Sequence, residues 1–252
     1  AWADPDDKDG DGISGRTNTV WDMERGGKAI GRFGWKANSF DVRQQSAEAA
    51  YFDLGMNNQL FFYRYDDQQK NHKARQNCEP EQIDCLQAVQ SDDFEMTPAQ
   101  LTDVTTYLQT LGVVYRRDVD DPVALKGEAL FAEAGCIACH KTHITTGETE
   151  ITRLENQLIH PYTDLLLHDM GEGLKGRPDF DASRTEWRTQ PLWGIGRIEM
   201  VNGHTNFLHD GRARNIQEAI LWHGGEAEKA KQKYKQYAAV DREAILKFLN
   251  TL

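Results

Sequence analysis

The sequence predicts a mainly α-helical, cytochrome c-like fold of two tandem units with long irregular loops, the first unit spanning residues 1–118 and the second 119–252. Three observations predict this fold class. Amphipathic helical periodicity marks the end of the chain, a similar segment occurs near its middle, and few stretches alternate polar and apolar residues as strands do. The joint between the units is expected at Val119–Pro122, where acidic residues precede a proline.

Two similar amphipathic segments indicate the tandem arrangement. The segment Asp241–Leu252 carries apolar residues at helical spacing, namely Ile245, Phe248, Leu249 and Leu252. The segment Thr97–Leu111 repeats this stripe with Val104, Tyr107, Leu108 and Leu111. Thr97 is an expected N-cap, because Pro98 and Gln100 follow it at favourable positions. A coincidence between two ordinary helices is the alternative to a true repeat.

The second unit contains a C-x-x-C-H motif, Cys136-Ile-Ala-Cys139-His140, which is the attachment signature of c-type haem. On a helical turn both thiols face one side and can add to the two vinyl groups, while His140 binds the iron. A helix is predicted just before it, over Val123–Glu133, with Gly135 ending it. A redox-active cysteine pair would need a preceding strand, and a zinc site would need more ligands than His143. We therefore expect one covalent haem c, attached through Cys136 and Cys139, whereas the first unit has no such motif.

The second axial ligand is predicted to be His223. A helix over Ile216–His223, capped by Asn215 and ended by Gly224 and Gly225, is predicted here. It places His223 on the same apolar face as Ile216, Ala219 and Ile220. A hydrogen-bonded core histidine is the alternative interpretation, and Met170 is the second choice of ligand. The other downstream candidates are His143, His160, His168, Met200, His204 and His209.

The first unit opens with an acidic, glycine-rich loop that resembles the first half of an EF-hand calcium loop. Side-chain oxygens are expected from Asp7, Asp9 and Asp11, and a carbonyl from Ile13. Asn18 stands where the bidentate glutamate of such a loop is expected. Calcium binding and a solvated turn therefore both remain open.

The remaining cysteines, Cys78 and Cys85, flank a polar, turn-rich stretch. Because c-type haem is attached outside the cytoplasm, where disulfides persist, a Cys78–Cys85 disulfide is preferred over two free thiols. The same argument predicts a periplasmic location.

The net charge of −11 argues against nucleic acid and anionic lipid surfaces as partners, since both repel an acidic protein. A basic redox partner protein is favoured instead. No apolar run is long enough to span a bilayer.

The sequence is similar, over nearly its whole length, to the di-haem cytochrome c peroxidases and most closely to the related di-haem oxidoreductases, often labelled peroxidases or thiol oxidoreductases. Several stretches match in the same order, namely Asp4–Arg16, Gly31–Ala37, Arg43–Gln45, Gly135–His140, His160–Gly173, Trp187–Gly194, Phe207–Gly211 and Leu221–Gly225.

The resemblance implies roles for individual residues. In the peroxidases a methionine usually occupies the position that corresponds to His223, so a histidine here implies bis-histidine ligation and a lower potential. His209 is expected near a haem propionate, and Arg188 is expected to pair with a propionate. Trp35 matches the neighbourhood of the first haem pocket, with ordinary core packing as its alternative. No role is assigned to His168 or Met170.

One departure from these relatives concerns the first unit, which in them carries its own C-x-x-C-H motif and the haem where peroxide reacts. This sequence has no such motif there. The resemblance therefore implies that a segment with the first haem has been lost or removed. Enzyme activity as a peroxidase-like oxidoreductase is expected if the intact protein carries that second haem.

Three functions are considered. The first is a periplasmic electron-transfer haem unit of a di-haem oxidoreductase, with six-coordinate His140/His223 ligation. The second is a peroxidase with an open iron, which needs an acid or base such as Glu172 or His168 near the haem. The third is a non-enzymatic calcium- or partner-binding module in which haem only stabilises a small core.

Overall fold

The computed structural model describes residues 2–61 and 93–252, and Cys78 and Cys85 lie outside these residues. The described part is mostly helical, as predicted, and is consistent with a cytochrome c-like fold. Its helices are α1 (Val42–Phe52), α2 (Pro98–Thr110), α3 (Pro122–Glu133), α4 (Ile198–Asn202), α5 (Ile216–Trp222), α6 (Glu228–Gln236) and α7 (Ala239–Thr251).

Short strands pair into small sheets. The strands are β1 (Thr19–Asp22), β2 (Gly27–Ile30), β3 (Ile144–Thr145), β4 (Leu158–Ile159), β5 (Leu167–Asp169) and β6 (Glu186–Arg188). Within the described residues they form three two-stranded sheets, β1–β2, β3–β4 and β5–β6. The β5–β6 pair is antiparallel, with His168 opposite Trp187. None of the helices in this part of the chain has the length and apolar character that a membrane crossing requires.

The chain divides into two compact units. The larger unit comprises residues 1–20, 30–38 and 112–252, and the smaller unit comprises 21–29 and 39–111. The larger unit holds the C-x-x-C-H motif. Tandem units with a boundary at residue 118 stay a prediction.

The core of the larger unit forms where α3 packs against α7. Gly127 lies at this contact, and a Cβ built on it would come within 1.9 Å of the Ala244 carbonyl oxygen, so only glycine allows the helices to approach this closely. Phe131 and Phe248 meet across it, with ring centroids 5.5 Å apart. The predicted stripe on α7 is confirmed, since its four apolar residues are buried. On α3, Phe131 is buried, whereas Leu125 is 48% exposed.

The smaller unit contains α1 and α2, which pack together. Thr97 caps α2 as predicted: its side chain accepts a hydrogen bond from the Gln100 amide in a complete capping box. Unlike the similar stripe on α7, the apolar stripe of α2 is exposed: Tyr107 is 64% and Leu111 is 51% exposed. Leu101 and Thr105, on another face of α2, are the buried residues of this helix.

Candidate haem site

The C-x-x-C-H motif sits on a tight turn directly after α3. Gly135 adopts a positive φ of 89° and ends the helix, and the turn Cys136–Ala138 follows. The amide of His140 donates to the carbonyl of Cys136 at 2.9 Å, so both cysteines and the histidine belong to one helical turn. Both cysteines are free thiols, and burial raises the pKa of the Cys136 thiol to about 12.

The imidazole of His140 is oriented by a backbone carbonyl. Its Nδ1 lies 2.9 Å from the carbonyl oxygen of Tyr162, whose own φ is +55°. Nδ1 therefore carries the proton in the neutral ring, and Nε2 keeps its lone pair for a metal. Burial lowers the pKa of His140 to about 4, which favours the neutral form.

His223 is oriented in the same way. It is the C-cap residue of α5, and its Nδ1 lies 2.7 Å from the Ala219 carbonyl oxygen. The predicted start of α5 is confirmed, because the Asn215 side chain accepts from the Glu218 amide at 2.8 Å. Burial lowers the pKa of His223 as well.

Together these histidines form a matched pair. A charge on His223 would lower the pKa of His140, but burial is the main cause of that lowering. Among the described residues neither Nε2 atom has a hydrogen-bond partner, and both residues keep partial solvent accessibility despite their desolvation. The donor set consists of two neutral imidazoles with free Nε2 atoms and two thiols on one turn. This set fits a covalent haem.

The environment of Arg188 is a second, independent feature that fits a bound haem. Its guanidinium donates to the Gly34 carbonyl at 2.8 Å and to the Gln190 side chain at 2.5 Å. It has no carboxylate partner in the described parts of the chain, and desolvation lowers its pKa to about 10. A partly buried cation without an anion matches the negative charge of a haem propionate.

His209 and Trp35 have clear places in the structure. The ring of His209 stacks on Trp187, with centroids 3.7 Å apart, and the Lys36 ammonium lies 3.9 Å from the centroid of the Trp187 ring. The contact of His209 with a propionate stays a prediction. Trp35 is 50% exposed, which rules out ordinary core packing for its side chain.

The proposed acid–base residues of a peroxidase are already engaged. His168 is buried, with Nε2 2.9 Å from Asp164 and Nδ1 2.7 Å from Glu226, so neither ring nitrogen is free. Glu172 pairs with Lys175 on the surface, where its side chain is 78% exposed. Both side chains therefore have ionic partners within the described residues.

Sequence reasoning missed the partners of His168. The Cys139 sulfur, an Asp164 carboxylate oxygen and a ring nitrogen of His168 all lie within 4.8 Å of one another. Because His168 uses both nitrogens on carboxylates, this cluster leaves no imidazole lone pair for a metal. The matched stretch His160–Gly173 was the signal, but its spacing does not reveal Glu226, which lies 58 positions beyond His168.

The acidic loop brings its three aspartates together. One carboxylate oxygen each from Asp7, Asp9 and Asp11 lies within 4.8 Å of the other two. The Asp11 carboxylate already accepts from the amide of Ile13 at 2.7 Å, and Lys229 donates to the Asp11 carbonyl at 2.8 Å. Calcium binding, with the Ile13 carbonyl as a ligand, stays a prediction.

Comparison with known proteins agrees with this geometry. One family model, described as "Di-haem oxidoreductase, putative peroxidase", matches residues 1–252. No curated protein and no solved structure matches the chain. The family supports an oxidoreductase with haem cofactors and peroxidase-type chemistry. Since the match covers the whole chain, the protein belongs to this di-haem oxidoreductase family.

Proposed function

We propose that the larger unit is a one-electron transfer unit of a peroxidase-like oxidoreductase. It binds one haem covalently through Cys136 and Cys139. His140 and His223 are its two axial ligands, and Arg188 neutralises a propionate. When bound, the haem supplies an iron that alternates between its ferric and ferrous states and so carries one electron.

The single observation that carries this proposal is the paired orientation of the two imidazoles. Each Nδ1 is held by a main-chain carbonyl, of Tyr162 for His140 and of Ala219 for His223. Such outer hydrogen bonds fix the ring tautomer and orientation before a metal binds. Two imidazoles prepared in this way favour a six-coordinate iron over an open one.

The protein surrounding His140 keeps its geometry fixed during electron transfer. Phe131 lies with its ring centroid 6.0 Å from that of His140 and also packs on Phe248. The Tyr162 hydroxyl donates to Glu128 at 3.0 Å, and Glu128 pairs with Arg116 at 2.7 Å. A site that moves little when the iron is reduced has a small reorganisation energy. This property favours an electron-transfer role over a role in substrate binding.

The proposal extends to the intact protein. The family name implies two haems, and this sequence carries one C-x-x-C-H motif. We assign peroxide chemistry to a second haem outside this motif, supplied with electrons by the His140–His223 site. Because c-type haem is attached outside the cytoplasm, we propose a periplasmic location. A calcium ion at the acidic loop would be a separate, structural feature.

The test is spectroscopic. The haem-loaded chain is oxidised and examined by absorption and electron paramagnetic resonance, alongside His223→Ala and the control His204→Ala. His204 is an exposed histidine of the same unit. The expected result is a low-spin ferric signal in the wild type and the control. His223→Ala is expected to give a high-spin signal, because one axial ligand is removed.

A high-spin signal in the wild type would overturn the proposal. It would mean an open iron and favour a peroxidase at this haem, for which hydrogen peroxide turnover is the next measurement. A low-spin signal that survives His223→Ala would instead assign the axial position to another residue, first of all Met170.

A further inference from the structure

The function proposed above leaves a buried ion cluster unexplained. It consists of Asp164, His168 and Glu226, called here the His168 triad. The side chains of His168 and Asp164 are 3% and 2% exposed, and that of Glu226 is 11% exposed. A neutral imidazole has one N–H, so hydrogen bonds from both ring nitrogens to carboxylates require the imidazolium form.

The energetics of the triad are those of a tightly held charge cluster. Desolvation disfavours a charged His168, but hydrogen bonds to Asp164, the Cys139 thiol and Glu226 outweigh it and raise the pKa of His168 to about 12 in the chain without haem. Each partner compensates the others, and removal of one partner from such a cluster is strongly destabilising. The three side chains therefore hold their parts of the backbone firmly together.

One end of the triad lies on the side of the C-x-x-C-H motif. A carboxylate oxygen of Asp164, a ring nitrogen of His168 and the Cys139 sulfur all lie within 4.8 Å of one another. Asp164 also follows closely after Tyr162, whose carbonyl holds His140. The segment Tyr162–His168 thus contacts both the attachment turn and the first axial histidine.

The other end of the triad lies on the side of His223. Glu226 follows His223 by three residues, with only Gly224 and Gly225 between them. A Cβ on Gly225 would come within 2.2 Å of the Asp169 carbonyl oxygen, so this short segment lies directly against the backbone that follows His168. The segment has little freedom once Glu226 is held.

Glu226 itself is fixed by further hydrogen bonds. It accepts from the Ser14 hydroxyl at 2.7 Å, the Ser14 amide at 3.0 Å and the Asp169 amide at 3.2 Å. Four donors, including His168, therefore converge on one carboxylate at the end of the His223 segment.

We propose that His168 is a positioning residue, which through Glu226 holds His223 at its axial position opposite His140. This proposal rests on the proposed function, in which both histidines bind iron. In this proposal the His168 triad sets the separation between the segment that carries His223 and the segment that holds His140. His223 therefore stays bound to the iron.

The experiment measures how readily cyanide displaces His223 from the haem iron. Cyanide binding to the ferric, haem-loaded chain is followed by stopped-flow absorption in the wild type, Glu226→Ala and Glu226→Gln. Glu228→Ala is the matched control, because Glu228 pairs with Lys231 on the surface and is not a member of the triad. Spin state is recorded by electron paramagnetic resonance before and after addition of imidazole.

We expect cyanide to bind about tenfold faster or more in Glu226→Ala, because loss of one partner disrupts a buried charge cluster. A high-spin fraction should appear in this variant and become low-spin again with imidazole, which replaces the released His223. Glu226→Gln keeps the shape of the side chain and should give a smaller increase in rate. Glu228→Ala should behave as the wild type.

Equal cyanide rates in the wild type and both Glu226 variants would overturn the positioning role while leaving His140–His223 ligation intact. If Glu226→Ala fails to fold, Glu226→Gln decides the question by the same rate comparison. A high-spin wild type would refute the proposed ligation and the positioning role with it, so the two failures are distinguishable.

Discussion

At the scale of single residues, the site depends on main-chain atoms that no residue pattern shows. Tyr162 directs its carbonyl to His140 from a left-handed conformation, with φ at +55°, which is uncommon for a residue other than glycine. Such local strain persists only where the surrounding packing fixes it, and it is characteristic of functional sites. Here the burial of Tyr162 and its bond to Glu128 provide that packing.

Arg188 gives the first prediction at this scale. Arg188→Gln removes a partly buried positive charge that we propose lies near the haem, so the ferric state should be favoured and the midpoint potential should fall. The expected decrease is on the order of tens of millivolts, since charge and hydrogen bonding near a haem tune its potential. Potentiometric titration followed by absorption measures it.

Arg188→Lys is the control for this prediction, because it keeps the charge while losing the forked donor geometry. Its potential should stay closer to that of the wild type. Unchanged potentials in both variants would show that Arg188 does not lie near the haem.

His168 gives a prediction for pH. Its pKa is raised from 6.5 to about 12 by the folded structure. A raised pKa means that its contribution to stability is complete below pH 6.5 and is lost as the pH rises towards 12. The wild type should therefore lose stability above pH 6.5 more steeply than His168→Gln, by at most about 1.4 kcal/mol per pH unit.

Urea unfolding of both proteins at pH 6 and pH 9 tests this prediction. In the chain without haem, which this test uses, Cys139, Asp164 and Glu226 are the titratable groups that face His168. The pKa of Glu226 is lowered by its hydrogen bonds, against the effect of burial, so its own contribution is lost on the acidic side instead. Parallel pH profiles for the two proteins would contradict a charged His168.

At the scale of secondary-structure elements, the contact of α3 with α7 carries the haem motif. Gly127→Ala would place a methyl group against the Ala244 carbonyl, because a Cβ at position 127 lies only 1.9 Å from that carbonyl oxygen. Alanine favours a helix over glycine by about 1 kcal/mol, but overpacking at a helix contact costs roughly 1–3 kcal/mol. We expect a net decrease in the free energy of unfolding and loosened packing of Phe131.

Urea unfolding of the haem-loaded chain measures this effect. Gly147→Ala is the matched control, since nothing lies within 4 Å of a Cβ at this loop position. A Gly127→Ala variant as stable as this control would mean that the helices can separate without cost.

Local signals predicted these elements well, because capping and periodicity act over a few residues. Asn215 and Thr97 begin their helices as expected. The burial of the α2 face was not predictable in this way. Its apolar stripe resembles that of α7, but α2 buries Leu101 and Thr105 in the smaller unit. Which face of a helix is buried depends on partners that are distant in the sequence.

The same limit applies to the site. The motif predicted Cys136, Cys139 and His140 as one turn, and periodicity predicted His223 on a helix beside apolar residues. Each of these patterns is local. The link from His168 to Glu226 and the environment of Arg188 arise only when distant segments meet. No local pattern marks these two features beyond a matched stretch.

At the scale of the whole molecule, charge determines which redox partner can approach. The net charge of −11 creates a field that attracts basic proteins and repels acidic ones. Such steering raises association rates by about 10- to 1,000-fold at low salt and weakens as salt screens the charges. An electron-transfer haem needs frequent encounters with its donor protein, and a negative field favours encounters with basic proteins. We therefore propose a basic donor protein as the partner.

The corresponding prediction concerns ionic strength. Reduction of the ferric chain by a basic cytochrome should slow about tenfold or more between 10 mM and 200 mM salt, because screening removes the attraction between opposite charges. Stopped-flow absorption measures the second-order rate, with an uncharged reductant as the control that reports the electron transfer itself. An acidic donor should show the opposite trend, since screening relieves repulsion. A reduction rate with the basic donor that does not depend on salt would contradict this proposal. If reduction by the acidic donor still became faster at high salt, the surface that contacts the donor would be neutral. The partner would then be recognised by packing and not by charge.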